Sequence, residues 1–299
     1  MDSAIETSAL TKRYGHDRAL TDVDFSVPEG AVCLLAGTNG AGKTTLLRIL
    51  INLERRTTGA CEVLGLDPAC NGAAVRAQVG FVSETTDWGY GWLRVGEMLA
   101  HVASYYPSWD PQYALELAQI LAVRMDRRMK ALSKGQRRCV QIVTALAHRP
   151  QLLLLDEPTD GLDPLVRDRT LRLFTEHTAD TGCTAVVSTH LVSEVAQLAD
   201  HVAILRSGAM LHQGPVERML GELHRLELDA PSGWSAPSEL QTAVLRQDHA
   251  IGRSPTLLVT GQLASIQPLI TKSGAAIRHA GRLDLSEAVV ARLQSEPKS

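Results

Sequence analysis

The chain has 299 residues, of which 44% are hydrophobic and 21% charged, a composition typical of globular proteins with one large or two modest domains. Its formal net charge of −3 gives no bulk electrostatic reason to expect a nucleic-acid partner, and we expect none. No run approaches the ~18 apolar residues that a membrane-spanning helix needs, so we expect that the chain does not cross a bilayer by itself.

The cysteines and the first residues bear on the compartment. The 5 cysteines are scattered and form no C-x-x-C pair, a pattern that favours a reducing cytosol over a disulfide framework. The opening segment MDSAIETSAL lacks the basic and then apolar stretches of a signal peptide. We therefore expect a cytoplasmic protein.

The predicted elements begin with strands. Residues Ser8–Val27 alternate and turn as short strands do, and the apolar run Ala31–Ala36 leads through a glycine-rich loop into TTLLRILINL, whose apolar spacing predicts a helix. The segment QVGFVSE predicts a strand that ends at Glu84. Residues 88–150 are then mostly helical in pattern, which predicts a helical subdomain inserted into the strand series.

Strands resume after the helical segment. The run Leu152–Leu155 and the segments TAVVSTH and HVAILRSG predict buried strands, and strands that alternate with helices predict a largely parallel sheet. The fold class is therefore α/β.

The C-terminal segment has a different composition. Residues Asp229–Ser238 are rich in proline, serine and glycine and predict a linker. Beyond them TLLVTG predicts a strand, and two helices follow, the last opened by a capping box of Asp284 and Glu287. We predict a main domain over residues 1–228, and a linker with a small α/β accessory domain over residues 229–299.

The first strand–loop–helix segment carries a phosphate-binding motif. Gly37–Thr44, GTNGAGKT, matches G-x-x-x-x-G-K-[ST] in full and in the required context. Its glycines let backbone N–H groups converge on phosphate oxygens, and the helix N-terminus adds partial positive charge. Lys43 is expected to reach the β- and γ-phosphates, and the Thr44 hydroxyl to ligate Mg²⁺. The loop predicts a nucleotide site.

The segment LLLLDEP places two carboxylates at the end of a buried strand, where ionisation is costly without a positive partner. We expect Asp156 to face the Mg²⁺ that Thr44 and the nucleotide hold. Glu157, one residue further on, could activate a water for in-line attack on the phosphate.

Taken in order, these motifs resemble the ATP-binding cassette ATPases, the nucleotide-binding subunits of ABC transporters. LSKGQ at Leu132–Gln136 resembles the family signature, DGLD at Asp160–Asp163 is similar to the D-loop, and STH places His190 at the switch histidine. Tyr14 matches the aromatic residue that stacks on adenine. The resemblance runs through about residues 5–225 and implies a P-loop ATPase with a mostly parallel sheet core, antiparallel N-terminal strands and an inserted helical subdomain.

The resemblance also implies a mechanism that needs two cassettes, either a homodimer or a heterodimer with a paralogous cassette. They pair head to tail, so that each ATP lies between one phosphate loop and the partner's signature. Glu157 then acts as the base and His190 touches the γ-phosphate, while Asp163 communicates between the sites. The residues implied to contact nucleotide are Tyr14, Gly37, Asn39, Gly40, Ala41, Gly42, Lys43, Thr44, Thr45, Ser133, Lys134, Gly135, Gln136 and Asp163.

Two positions depart from the family pattern. Glu84 stands where the family has the glutamine of the Q-loop; it can still take part in catalysis and ligate Mg²⁺, but an ionised carboxylate only accepts hydrogen bonds and adds negative charge. Lys134 replaces the first glycine of the signature. One hypothesis is that Lys134 offsets the charge of Glu84 across the dimer; the alternative is that Lys134 points to solvent.

The aromatic residues concentrate in one segment, where the family binds a helix of its membrane subunit. Aromatic side chains are enriched at interface anchors, although about half of these are expected to fill the core of the helical subdomain. We predict that Trp88, Tyr90 and Trp92 are the exposed set. The whole group is Trp88, Tyr90, Trp92, Tyr105, Tyr106, Trp109 and Tyr113.

The resemblance implies the ATP-hydrolysing subunit of an export-type bacterial ABC transporter, with ATP and Mg²⁺ as cofactors and a separate integral membrane permease as partner. Through that permease the protein would lie on the inner face of the cell membrane. The alternative is a soluble cassette ATPase that acts on a ribosome or nucleic acid. A P-loop kinase is a weaker alternative, because the signature, D-loop and switch histidine have no role there.

Overall fold

A computed structural model of the chain describes residues 2–86, 89–231, 233–248 and 255–294. Strands and helices alternate through most of this length, which confirms the predicted α/β class. No helix within these ranges is both long and apolar enough to span a membrane.

The strands form three separate sheets. In chain order they are β1 (Ser3–Tyr14), β2 (Asp17–Pro28), β3 (Val32–Gly37), β4 (Thr58–Val63), β5 (Val79–Val82), β6 (Leu152–Asp156), β7 (Thr184–Thr189), β8 (His201–Arg206), β9 (Ala209–Pro215), β10 (Leu223–Asp229), β11 (Val244–Asp248), β12 (Thr256–Thr260) and β13 (Ala276–Arg282).

The helices lie between these strands. In chain order they are α1 (Lys43–Leu50), α2 (Pro68–Gln78), α3 (Val95–Ala103), α4 (Pro111–Ile120), α5 (Lys134–Leu146), α6 (Pro164–Thr181), α7 (Val192–Val195), α8 (Val216–Gly221), α9 (Leu263–Lys272) and α10 (Leu285–Gln294). Helices α3, α4 and α5 occupy the segment predicted to be a helical insertion.

The central sheet has the order β5-β6-β7-β3-β8-β9 and is parallel except for β9. Its strands β3, β6, β7 and β8 are buried on both faces, as strands of parallel sheets are. In β6, Leu153 and Leu155 pack in the core that includes the helical subdomain, whereas Leu152 and Leu154 pack on the other side. The carboxyl ends of β3, β6 and β7 therefore meet at one edge, where their loops can share a site.

The N-terminal sheet has the order β2-β1-β4 and is antiparallel, as predicted. Its inward residues, including Ile5 and Phe25, share a core with Leu46 and Leu50 of α1. This packing holds α1 between the two sheets and fixes the start of the helix at the carboxyl end of β3.

The C-terminal unit begins earlier than predicted. β10 is central in a sheet of order β11-β12-β10-β13, so this unit starts at Leu223 rather than after residue 228. Within the predicted linker Asp229–Ser238, Trp234 is buried, and its Nε1 donates to Ser273 Oγ at 3.0 Å. Proline and serine content did not indicate that β10 before this segment and β11 after it belong to one sheet.

The last helix returns to the main domain. The predicted capping box is present: Glu287 N donates to Asp284 Oδ1 at 2.8 Å, and Asp284 N donates to Glu287 Oε2 at 3.3 Å. The buried face of α10, with Val289, shares one core with Val192 and Val195 of α7. The accessory unit is therefore packed against the cassette through α10.

Candidate active site

The phosphate loop joins β3 to α1. Gly42 precedes α1 with φ +104°, and a Cβ there would lie 2.6 Å from the carbonyl oxygen of Ala19. Only glycine tolerates this combination of left-handed backbone and close approach. The loop borders a cavity of about 240 Å³. Residues Asn39–Thr45 line this cavity together with Glu84, Asp156, Glu157 and Ala19, and sequence reasoning missed only the last.

Lys43 lies buried at the base of this cavity. Its Nζ donates to the carbonyl oxygens of Gly37 at 2.8 Å and Thr38 at 3.2 Å. Burial lowers the pKa of Lys43, while Glu157 and Asp156 nearby oppose that effect. The side chain is a preorganised cation held by weak neutral acceptors, which an anionic phosphate can outcompete.

Thr44 and Asp156 come from different elements and meet in the same cavity. Thr44 Oγ1 donates to Asp156 Oδ2 at 2.8 Å. Asp156 is 1% exposed, and burial raises the pKa of its carboxyl group although the Thr44 bond opposes this. A buried carboxylate next to a hydroxyl offers two oxygen ligands, which is the ligand type that Mg²⁺ prefers. The arrangement agrees with the predicted pairing of these two residues.

Glu157 and His190 form a second pair. Glu157 Oε1 accepts hydrogen bonds from the His190 backbone N–H at 3.0 Å and lies 2.9 Å from His190 Nδ1. The Glu157 side chain is largely buried, whereas that of His190 is about half exposed. Because both bonds fall on one oxygen, His190 fixes the orientation of the carboxylate.

Glu84 lines the cavity from a loop that α5 holds in place. Two residues that sequence reasoning missed make this contact: Arg138 donates to the carbonyl oxygens of Ser83 and, at 2.8 Å, of Glu84. Gln141 Nε2 donates to the Thr85 carbonyl oxygen at 2.6 Å. The signal available in the sequence was Gln141, a polar residue inside the run CVQIVTAL and three residues after Arg138.

The signature residues begin α5 away from this cavity. Ser133 caps the helix: its Oγ accepts from Gln136 N at 3.2 Å, and its own N–H donates to Gln136 Oε1 at 3.0 Å. Gly135 packs against the D-loop, because a Cβ there would lie 2.5 Å from Gly161 O. Gln136 thus holds the Ser133 turn.

Lys134 has an ion-pair partner within its own chain. Its Nζ lies 2.6 Å from Asp160 Oδ2, and its aliphatic chain lies over Gly161. The side chain is therefore paired within its own chain, and its charge is not directed only to solvent. Lys134 is paired with the carboxylate of Asp160, whereas Arg138 of the same helix binds the backbone carbonyl oxygen of Glu84.

Some predicted residues lie outside the cavity in the part of the chain that the structure describes. Tyr14 is 46% exposed, with Lys12 Nζ 4.5 Å from its ring centroid. Asp163 caps α6 by accepting from Leu165 N and Val166 N, both at 3.1 Å. Their roles toward adenine and between sites stay predictions.

The predicted aromatic set is only partly visible. Trp88 lies outside the described residues. Trp92 is 68% exposed, as predicted, whereas Tyr90 is half-buried and its ring centroid lies 5.5 Å from that of His101. Tyr106 stacks on His148 within the helical subdomain, as expected for the aromatics assigned to its core.

Three features meet at one edge of the parallel sheet: a complete phosphate loop, a pair of cation ligands and a carboxylate–histidine pair. Together they define a P-loop ATPase. Comparisons with known proteins identify the family. A profile described as "ABC transporter" matches residues 20–160, and an AAA-domain profile matches residues 126–196.

Relatives and solved structures agree. The bacitracin transport ATP-binding protein BcrA of Bacillus licheniformis is 31% identical over 73% of this chain and 72% of its own. The daunorubicin/doxorubicin resistance protein DrrA of Streptomyces peucetius is 31% identical over 74% and 68%. The phosphonates import protein PhnC 2 of a Synechococcus strain is 32% identical over 80% and 97%. A solved ATP-binding subunit of an ABC transporter superposes with TM-score 0.66 at 29% identity, over 72% of this chain and 91% of that one.

The chain therefore belongs to the ATP-binding proteins of ABC transporters. It is an ATP-binding cassette ATPase.

Proposed function

We propose that the chain hydrolyses ATP with the residues gathered at the carboxyl edge of its central sheet, as one of two paired cassettes that drive export through a separate membrane permease. One observation carries the assignment of roles. Thr44, Asp156 and Glu157 line the same cavity as Lys43, with Thr44 Oγ1 2.8 Å from Asp156 Oδ2, and Glu157 Oε1 lies 2.9 Å from His190 Nδ1. Cation ligands, base and phosphate-binding cation thus lie together.

Each residue then has a distinct task. Thr44, Asp156 and Glu84 would hold Mg²⁺, which when bound supplies positive charge against the phosphate oxygens. Lys43 leaves its carbonyl acceptors for the phosphates. Glu157, oriented by His190, accepts the proton of the attacking water.

The signature supports a paired arrangement. Ser133 and the first turn of α5 lie outside the cavity that contains the phosphate loop, so within one chain they do not reach a nucleotide bound there. Helix N-termini attract phosphate oxygens, and a second cassette placed head to tail would bring its α5 to this cavity. We infer that the complete site includes Ser133, Gly135 and Gln136 of a partner cassette.

A membrane permease is the proposed second partner. The support is family membership, together with the exposed Trp92, which follows Glu84 by eight residues in the sequence. Relatives named for bacitracin transport and drug resistance favour export, although relatives named for import share similar identity. Bound to the permease, the protein would lie on the inner face of the cell membrane.

The catalytic assignment is tested by Glu157→Gln. The amide cannot accept the proton, so we expect kcat to fall by about 100-fold or more while the Kd for ATP changes by less than about threefold. ATPase assays and nucleotide titrations measure both. Glu116→Gln, an exposed change of the same type on α4, is the control. A Glu157→Gln variant that keeps more than about a tenth of wild-type kcat contradicts the role.

The partner assignment is tested by purifying the tagged chain from native membranes in mild detergent. We expect an integral membrane protein in stoichiometric amount, and loss of it when Trp88, Tyr90 and Trp92 are changed to alanine. Leu115→Ala, at an exposed apolar residue of α4, should retain it. Recovery of the chain with ribosomes or nucleic acid instead would favour the alternative function.

A further inference from the structure

The loop that carries Glu84 is fixed to α5 by three consecutive carbonyl groups. Arg138 donates to the carbonyl oxygens of Ser83 and Glu84, and Gln141 donates to that of Thr85. The two side chains also bond to each other, with Arg138 Nη1 2.9 Å from Gln141 Oε1. The backbone on both sides of the Glu84 side chain is therefore held by one helix.

This contact buries a cation at a cost. Arg138 is 0% exposed and Gln141 1% exposed. Within the described part of the chain, the hydrogen-bond partners of Arg138 are carbonyl and amide oxygens, and none is a carboxylate. A buried charge without such a partner stabilises a fold less than an apolar side chain of the same volume would. Stability alone does not account for an arginine at this position.

Besides holding the loop, Arg138 places its positive charge near the carboxylates of the nucleotide site. Burial lowers the pKa of Arg138, whereas Asp160, Asp156 and Glu84 favour its charged form. The guanidinium therefore adds a positive charge that interacts with Asp156 and Glu84, two of the carboxylates that line the cavity. It bonds to the residue whose side chain supplies the extra negative charge relative to the family pattern.

The helix that holds Glu84 also presents the signature. Ser133 caps α5, and Arg138 follows within about 8 Å along the helix axis at 1.5 Å per residue. A helix segment of this length is stiff, so a shift of the Glu84 loop moves the Ser133 turn with it.

We propose that Arg138 and Gln141 are positioning residues for ATP hydrolysis: they clamp the backbone of Ser83–Thr85 to α5, which sets the Glu84 side chain at the phosphate cavity and couples it to the Ser133 turn. This inference rests on the role proposed above for Glu84. A displacement of the order of 1 Å at a positioned group can reduce a rate by up to about 100-fold.

The test is a double-mutant cycle between the clamp and its target. We expect Arg138→Met to lower kcat on the order of 10-fold or more and to change the KM for ATP by less than about threefold, since the nucleotide-binding loop is separate. In a Glu84→Ala background the same change should lower kcat by less than about twofold, because no carboxylate remains to be positioned. Arg137→Met, which removes the same charge one residue earlier on α5, is the control and should leave kcat within about twofold of wild type.

A second readout does not depend on activity. Hydrogen exchange of a peptide that covers residues 83–86 should be faster in nucleotide-free Arg138→Met than in wild type, and unchanged in Arg137→Met. Gln141→Met removes the bonds of Gln141 to Thr85 and to Arg138 but leaves those of Arg138 to Ser83 and Glu84, so it should show the same two effects in smaller degree. It decides the question if Arg138→Met does not fold.

The outcomes separate the two proposals. If Glu84→Ala lowers kcat but Arg138→Met and Gln141→Met reduce it by the same factor in both backgrounds, the clamp is overturned and the role of Glu84 stands. If Glu84→Ala leaves kcat unchanged, the role of Glu84 is wrong and the clamp falls with it. Background-dependent loss with faster exchange at the loop supports both.

Discussion

Asp156 and Glu157 are neighbours in sequence, yet their carboxylates serve different partners. Asp156 is the last residue of β6 and bonds to Thr44. Glu157 adopts a left-handed backbone with φ +48°, held by its N–H bond to the Ser188 carbonyl oxygen at 2.8 Å. Such a conformation costs roughly 1 kcal/mol for a residue with a side chain. It turns the second carboxylate toward His190, so one acid can ligate a cation while the other acts as a base.

A second single residue, His177 on α6, predicts how the stability of the protein depends on pH. It is 2% exposed, and burial, with Arg149 and His148 nearby, lowers its pKa from 6.5 to about 4. Below pH 6.5 the unfolded chain binds a proton that the folded chain excludes until about pH 4, so the free energy of unfolding decreases as the pH falls through this window. By pH 5 the loss amounts to about 2 kcal/mol.

We expect His177→Gln to remove this loss, so that its free energy of unfolding changes less between pH 7 and pH 5 than that of wild type. Urea unfolding at the two pH values measures the difference. His16→Gln, at an exposed histidine in the turn between β1 and β2, should keep the wild-type slope. An unchanged slope in His177→Gln would mean that folding does not lower the pKa of this histidine.

At the scale of elements, α5 makes two contacts that tie the signature to other loops. Its first turn packs on the D-loop through Gly135 and the Lys134–Asp160 pair, and its second turn holds the Glu84 loop through Arg138. The Lys134 side chain is 56% exposed, so its ion pair adds little to stability. Its effect is to set the position of the signature relative to the turn before α6.

This arrangement predicts that Lys134 and Glu84 act independently. Because Lys134 pairs with Asp160 and Glu84 is held by Arg138, we expect the effects of Lys134→Gly and Glu84→Gln on ATP affinity to add within about 0.5 kcal/mol in the double variant. Nucleotide titration of the four proteins measures this. A coupling larger than about 1 kcal/mol would instead support compensation of the two charges across a cassette dimer.

At the scale of the molecule, a single core joins the helical subdomain, the central sheet and the last helix. Residues from α5, β6 and α10 belong to one apolar cluster, whereas the other face of the C-terminal sheet has its own cluster around α9. The accessory unit thus covers apolar residues of α7, which begins two residues after His190. Its packing contributes to the stability of the cassette.

Two adjacent valines of α10 test that contribution. Val289 is 1% exposed and Val290 45% exposed. We expect Val289→Ala to lower the free energy of unfolding by about 2 kcal/mol, because two buried methyl groups are lost and a small cavity remains. Val290→Ala should change it by less than about 0.5 kcal/mol. Equal, small effects in urea unfolding would mean that α10 does not pack on the cassette in solution.

Much of this protein was predictable from sequence because the informative features are local. The phosphate loop needs particular residues at fixed spacing. The segment LLLLD predicts a buried strand with an acid at its end, and Asp284 with Glu287 predicts a capping box within one turn. The order of these motifs sufficed to predict the fold class, the family and the ATPase activity. Each depends on residues that are close along the chain.

Tertiary structure alone decided the rest, because the partners are far apart in sequence. Nothing near Lys134 indicates that Asp160 is its partner, and nothing near Glu84 indicates that Arg138 and Gln141 hold its backbone. The start of the C-terminal unit at Leu223 likewise follows from strand pairing with β12 and β13. Hydrogen bonds and ion pairs depend on distances of a few ångströms, and only the packing of helices on the sheet brings these groups that close.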